Sequence, residues 1–338
     1  RTGRTMGQHQ LAAPFDKGLV DLGDGVHAFL SGSTDFGLSN AGLVVSNDEV
    51  LVIDTLYDLR HAGEFVDAIP AVSESAAVRY VFNTHSDGDH IFGNQLFPDE
   101  AEVVATAAAG ELMTQDQADM TAAVFDESTH PDSPLHPLAL LARPFDFHPV
   151  RLRRPDTVFS GTKSLRVGAL EVELHELGPA HTVGDAIAFL PHQKVLFAGD
   201  LLTRDIVKIV WSGSVENWIT ALDRIQAFDA KVVVAGHGPV LRGDEIRAAL
   251  DLGRAFWSYL HEQAHRFYDR GVPADEAAAR INVDRYPDAA LTLPTIVTAV
   301  YHDLDPDNAF KTVPQTLAFM AAEIARLAKG REPTGVRD

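Results

Sequence analysis

The 338-residue chain contains no cysteine. Disulfides, thiolate nucleophiles and cysteine-ligated zinc or iron–sulfur sites are therefore excluded, and a reducing cytoplasm is the simplest setting. Basic residues are scarce too: 28 lysines and arginines stand against 48 aspartates and glutamates, a formal net charge of −20. A polyphosphate partner requires a basic surface whose binding releases counterions, so nucleic acid is not expected. Long apolar runs are also missing. The basic, polar lead-in from Arg1 to Gln10 has the character of neither a secretion signal nor a membrane anchor, and no membrane partner is expected. Repeats of the short fixed period typical of solenoids and propellers are absent as well.

What remains is an ordinary folded composition, 46% hydrophobic and 22% charged. Its length suits one large domain, or a domain of about 200 to 250 residues with an appendage. Apolar runs bounded by turn residues predict antiparallel strands at 25–30, 41–45 and 50–53, with Ser46-Asn47-Asp48 as a hairpin turn. Helical spacing follows at 60–69, a buried strand at 78–82, a further strand at 102–105 and a helix through about Met120. Residues 128–155, with several prolines and with His130, His136 and His148, are too irregular for one element and form an insert, a candidate lid. Its three histidines read as surface loop residues. A second β set is predicted at 157–159, 164–167, 170–177, 186–190 and 195–198, then a helix at 215–228 and a buried strand at 232–235. Beyond Asp244 the spacing is helical, at 245–268, 274–281, 293–301 and 312–327. Two β-rich halves packed face to face with helices outside make an α/β sandwich. The division expected is a lead-in at 1–17, a catalytic domain at 18–243 and a C-terminal helical extension at 244–338. The apolar residues Leu250, Phe256, Trp257, Leu260 and Phe267 suit that extension either to cover an edge of the sandwich or to form a dimer contact.

Thr84-His85-Ser86-Asp87-Gly88-Asp89-His90 crowds four potential metal ligands into one loop at a strand's end. Nitrogen and carboxylate donors of this kind suit divalent first-row metals. Three further residues also follow apolar runs: His181 in Gly178-Pro179-Ala180-His181-Thr182, Asp200 in Phe197-Ala198-Gly199-Asp200, and His237 in Gly236-His237-Gly238-Pro239. Taken singly, each allows a structural role as a turn residue, a loop histidine or a helix cap.

In order and context these residues resemble the metallo-β-lactamase superfamily, with its His-x-His-x-Asp-His loop, then a lone His, a bridging Asp or Cys, and a last His. The similarity spans Leu19 to Leu241 and includes the Asp54-Thr55 strand end and Gly93-Asn94. It implies a four-layer αββα sandwich. Within the superfamily the chain looks most like polyketide cyclase and thioesterase-like hydrolases, and more loosely like glyoxalase II and lactonases; fold kinship alone does not transfer substrate. Mapped by motif position, His85, Asp87 and His181 would bind one metal, Asp89, His90 and His237 a second, and Asp200 would bridge them. Asp87 stands where the family usually has a histidine. The resulting three carboxylates weaken polarisation of bound water and make manganese or iron more competitive with zinc, the first expectation. Aspartate rather than cysteine at position 200 points away from penicillin hydrolysis.

The resemblance further implies a hydrolase in which metal-bound hydroxide attacks an ester, lactone, thioester or activated aryl ether, with Asp89 orienting the hydroxide and accepting its proton. A polyketide-type cyclase or lyase and a non-catalytic subunit with a decayed site are the alternatives. Trp211, Lys208, Arg204, Phe145 and Phe147 are candidates for contact with a small, largely apolar substrate, with Lys208 or Arg204 as an anion anchor. A homo-oligomer is expected, with a related subunit as the other assembly open to it.

Overall fold

The computed structural model describes residues 15–73, 75, 77–143, 145–203 and 206–329. The first sheet has seven strands in sequence order: β1 Gly18–Gly23, β2 Val26–Leu30, β3 Ala41–Ser46, β4 Glu49–Ile53, β5 Ala77–Phe82, β6 Glu102–Thr106 and β7 Thr157–Phe159. Helices α1 Leu59–Ala68, α2 Gly88–Ile91, α3 Ala107–Leu112, α4 Gln115–Ser128 and α5 Ala139–Ala142 interrupt them. The second sheet, in the order β13-β12-β11-β10-β9-β8, is built from β8 Thr162–Val167, β9 Leu170–Glu176, β10 Ala186–Leu190, β11 Val195–Gly199, β12 Val232–Ala235 and β13 Leu241–Arg242. The remaining helices are α6 Val215–Ala227, α7 Asp244–Tyr268, α8 Ala274–Arg280, α9 Leu293–Leu304 and α10 Val313–Lys329.

The central strands are buried on both faces, which is why they read as continuous apolar runs rather than alternating ones. In β4, Leu51 and Ile53 point into the core between the sheets, while Val50 and Val52 pack outward with Phe65 of α1. In β10, Ala186, Ala188 and Leu190 point inward, while Ile187 and Phe189 pack outward with α6, α7 and α9. This alternation orders the layers as helix, sheet, sheet, helix.

Several expectations are corrected. Residues 157–159 do not open the second β set. They form β7, which pairs parallel with β6 (Val104 opposite Thr157) and extends the first sheet. The chain between these two strands, with α3, α4 and α5, is the crossover that parallel pairing requires. Strands β1 and β13 have no counterpart in the sequence reading, because β1 is a half-buried edge strand bounded by glycines and β13 has two residues. The helix after β6 is two helices, broken between Leu112 and Gln115, and α4 runs on to Ser128. The insert is tied down rather than loose, since Leu138, Phe147 and Val150 are buried in it. His130, His136 and His148 lie exposed on it.

The apolar face of α7 is spent inside the chain. Leu250, Phe256, Trp257 and Leu260 are buried against α6 and α9, with Phe267 half-buried beside them, so this face does not offer a dimer contact. No helix among the described residues is long and apolar enough to cross a membrane.

Close approach of the two sheets depends on Gly42 in β3, where an added Cβ would lie 2.2 Å from the Phe197 ring of β11. Gly42→Ala is therefore expected to lower the unfolding free energy by about 1–3 kcal/mol through overpacking. Gly63→Ala in α1, where nothing lies within 4 Å of the added carbon, should instead raise it by roughly 0.5–1 kcal/mol. Urea denaturation of both variants checks this pair; identical midpoints would show that the sheets are not in contact at Gly42.

Candidate metal centre

Strand ends from both sheets deliver the polar residues to one place. Strand β5 leads into the His85 loop, β9 into His181, β11 into Asp200 and β12 into His237, while one turn of α2 carries Asp89 and His90. The sequence-separated residues converge. His181 Nε2 lies 2.8 Å from Asp87 Oδ2 and 3.7 Å from Asp200 Oδ2. His237 Nε2 lies 3.2 Å from Asp89 Oδ2 and 3.4 Å from Asp200 Oδ2, and His90 Nε2 lies 3.3 Å from Asp200 Oδ1. Donor atoms fall into three sets, each within 4.8 Å: His85, Asp87 and His181; Asp89, His90 and His237; and His85, His90 and Asp200. Asp87, though shorter than an imidazole, reaches its set. Gly236 makes room for Asp200: a Cβ there would meet Asp200 Oδ1 at 2.0 Å.

Each imidazole is held by its other nitrogen. His90 Nδ1 donates to Asp54 Oδ2 at 2.9 Å, His181 Nδ1 to the Ile209 carbonyl at 2.8 Å and His237 Nδ1 to the Leu38 carbonyl at 3.1 Å. His85 Nδ1 lies 2.9 Å from Thr84 Oγ1, whose hydroxyl donates to Asp54 Oδ2. With Nδ1 engaged, the Nε2 atoms are directed at the cluster. Asp185, which burial pushes up to about 6, accepts from Ala180 N, Thr182 N and Thr182 Oγ1 and so shapes the His181 loop.

The donor set fits divalent cations on two observations. His85 Nε2, His90 Nε2 and Asp200 Oδ1 are buried without a hydrogen-bond partner, which is costly unless something polar meets them. The carboxylates also demand positive charge. Burial works against a charged imidazole, yet Asp87 and Asp200 lift His181 from the ordinary 6.5 to about 10. Against the same burial, Asp200 and Asp89 lift His237 to about 10. His85 goes the other way, held well below the ordinary value by burial and by His90; its Nε2 is a neutral donor.

The sequence model of the metallo-beta-lactamase superfamily matches residues 34–237. The chain belongs to this superfamily. The histidine and aspartate clusters agree with the divalent metals that metallo-β-lactamase-fold proteins typically bind. A linear primary-alkylsulfatase from Pseudomonas sp. (strain ATCC 19151) is 20% identical over 270 residues, which are 71% of this chain and 49% of the relative. The chain thus spans about half the length of that relative. The structure of a stereoselective inverting sec-alkylsulfatase from Pseudomonas sp. aligns at a TM-score of 0.64 and 18% identity, covering 86% of this chain and 52% of that one. A metallo-beta-lactamase from Pontibacter korlensis aligns at 0.51 and 21% identity, covering 70% and 98%. These likenesses concern fold.

A cavity of about 690 Å³ opens on the cluster, with Asp87, Asp89, His181, Asp200 and His237 in its lining. Of the expected substrate contacts, Trp211 lines it. Phe145 and Phe147 do not: they meet Tyr57 edge-on, at ring separations of 4.9 and 4.7 Å, because aromatic rings on the insert gain more from mutual burial. Lys208 is also elsewhere, its ammonium 5.4 Å from the Phe256 ring, a cation–π contact. Arg204 lies outside the described residues. Sequence reasoning missed Tyr57, Gln117, Met120 and Val124, together with four residues of α10 that share this lining. The α10 positions carry a legible signal, an apolar stripe at helical spacing, but nothing in the sequence says which surface it meets.

Asp54 links the His85 and His90 positions through Thr84 and accepts from Thr84 N as well. Asp54→Asn puts an amide donor opposite His90 Nδ1 or Thr84 and should weaken metal binding about 10- to 100-fold while the protein stays folded. Competition with a chromophoric chelator measures this, and unchanged affinity would remove Asp54 from the centre.

Proposed function

We propose that the chain is a metal-dependent hydrolase of esters bearing an extended apolar group, with sulfate esters of aliphatic alcohols as the leading substrate class. The carrying observation is the cavity itself: a wall dominated by apolar side chains that opens directly onto the histidine–aspartate cluster. Buried apolar walls contribute affinity without selecting a reacting group, and convergent polar residues at one end supply that selection. The names of the alkylsulfatase relatives favour a sulfate ester among the esters this cavity suits.

In this reading His85, Asp87 and His181 would hold one divalent ion and Asp89, His90 and His237 a second, with Asp200 close to His85 and His90 and available to either. Bound there, such ions supply Lewis acidity and a water activated at neutral pH. The chain's own groups do the rest. Asp89, whose Oδ2 is 3.6 Å from His90 Nε2 and 3.2 Å from His237 Nε2, lines the cavity and accepts the proton of the attacking water. The Nδ1 hydrogen bonds keep the imidazoles from swinging as charge develops, so little reorganisation accompanies reaction. Apolar residues around the substrate's non-reacting part exclude bulk water, which strengthens the electrostatic interactions at the cluster. Asp87 adds negative charge where the family usually has a neutral imidazole. That favours an oxygen-preferring ion such as manganese or iron beside zinc. Any homo-oligomer would use a surface other than the buried face of α7.

Asp89→Asn, loaded with metal to the wild-type content, should lose about 10²–10⁴-fold in turnover of an alkyl sulfate or ester while its far-UV spectrum stays unchanged. Chelation of the wild type should abolish turnover reversibly. In oxygen-18 water a hydrolase must place solvent oxygen in product. Full turnover by the loaded Asn variant, or product free of label, would refute the proposal, and the latter would favour the cyclase alternative.

A further inference from the structure

The apolar cavity wall comes in part from chain that lies beyond the family-matched residues 34–237. Val313, Leu317, Met320 and Ile324 of α10 all line it. Their spacing of four, three and four residues puts them on one face of the helix, and over eleven residues that stripe extends ~16 Å. Leu317 and Met320 are buried in a cluster with Val124 of α4, and Met120 of α4 packs against it. Pro314, Gln315, Ala318 and Ala322, on other faces of α10, are exposed. The helix is anchored through the insert turn His136–Leu138, whose Leu138 is fully buried, and through the turn Pro287–Leu291. Its inner face is therefore shared between that anchorage and the cavity.

We infer that α10 is the selectivity wall of the site: with Met120 and Val124 it fixes how long an apolar chain the substrate carries. This rests on the hydrolase reading above. A stripe of ~16 Å flanks an extended chain of roughly a dozen carbons, given C–C bonds of ~1.5 Å. Each methylene that gains contact with such a wall raises binding roughly fourfold, and the gain stops where the wall ends. Met320, buried in the cluster and also lining the cavity, is a long side chain of this stripe whose size changes the room beside it.

The test is kcat/KM along a homologous series of n-alkyl sulfates and p-nitrophenyl alkanoates, from two to sixteen carbons, for wild type, Met320→Trp and Met320→Ala. Met320→Trp should move the optimum to shorter chains and lower kcat/KM on the longest members at least tenfold relative to the shortest. Met320→Ala should move it to longer chains. A parallel measurement needs no turnover: n-alkanols of the same lengths displacing a fluorescent apolar probe, with the same opposite shifts expected. Profiles superimposable on wild type in folded variants, in either measurement, would overturn the inference. If wild type hydrolyses no member of either series while the displacement profiles still shift, the reaction assigned above fails and the role of α10 stands.

Discussion

Three carboxylates and four imidazoles share one buried pocket, and their mutual neutralisation is the constraint that the surrounding structure serves. His85 and His90 are almost wholly inaccessible, and Asp200 is 9% exposed. A buried charge without compensation costs several kcal/mol. The pocket is tolerable because its charges are opposed at short range and each histidine is pinned by a hydrogen bond on its far side. The residual demand for positive charge, visible in the raised His181 and His237, is one that a bound cation would meet.

Holding that pocket together requires both sheets, since each delivers only part of the cluster. The segment Leu38–Asn40 acts as a brace between them. Leu38 accepts from His237, Ser39 Oγ donates to the Asp89 carbonyl, and Asn40 donates to the Ala235 and Gly238 carbonyls at 3.0 and 2.7 Å. Ala186 N adds a bond of 2.8 Å to the Thr84 carbonyl from the other side. These contacts fix the distance between the two halves of the site independently of any ligand.

The C-terminal helices divide their work. Helices α7, α8 and α9 pack as structure against α6 and the outer face of the second sheet, burying Trp257 and Phe256. Helix α10 reaches instead to the insert and the cavity. The insert, carrying α5 and the turn before it, supplies the docking surface for α10 and so belongs to the cavity wall rather than to a detached lid.

The amino-acid sequence by itself determined the layered fold and pointed to the histidines and aspartates that the fold brings together. Apolar runs such as Val232–Ala235 are legible because double-sided burial admits few polar residues, and strand ends followed by His or Asp are legible because turns tolerate them. The Asp87 departure was legible as well, though not that its carboxylate would reach His181. Only the tertiary structure decided the sheet to which β7 belongs, the inward-turned fate of Phe145 and Phe147, the pairing of Lys208 with Phe256, and the cavity-lining face of α10. Each of these depends on which surfaces meet across long stretches of chain. Local periodicity states that a face is apolar, but the partner that covers it is chosen by packing, to which residues distant in sequence contribute equally.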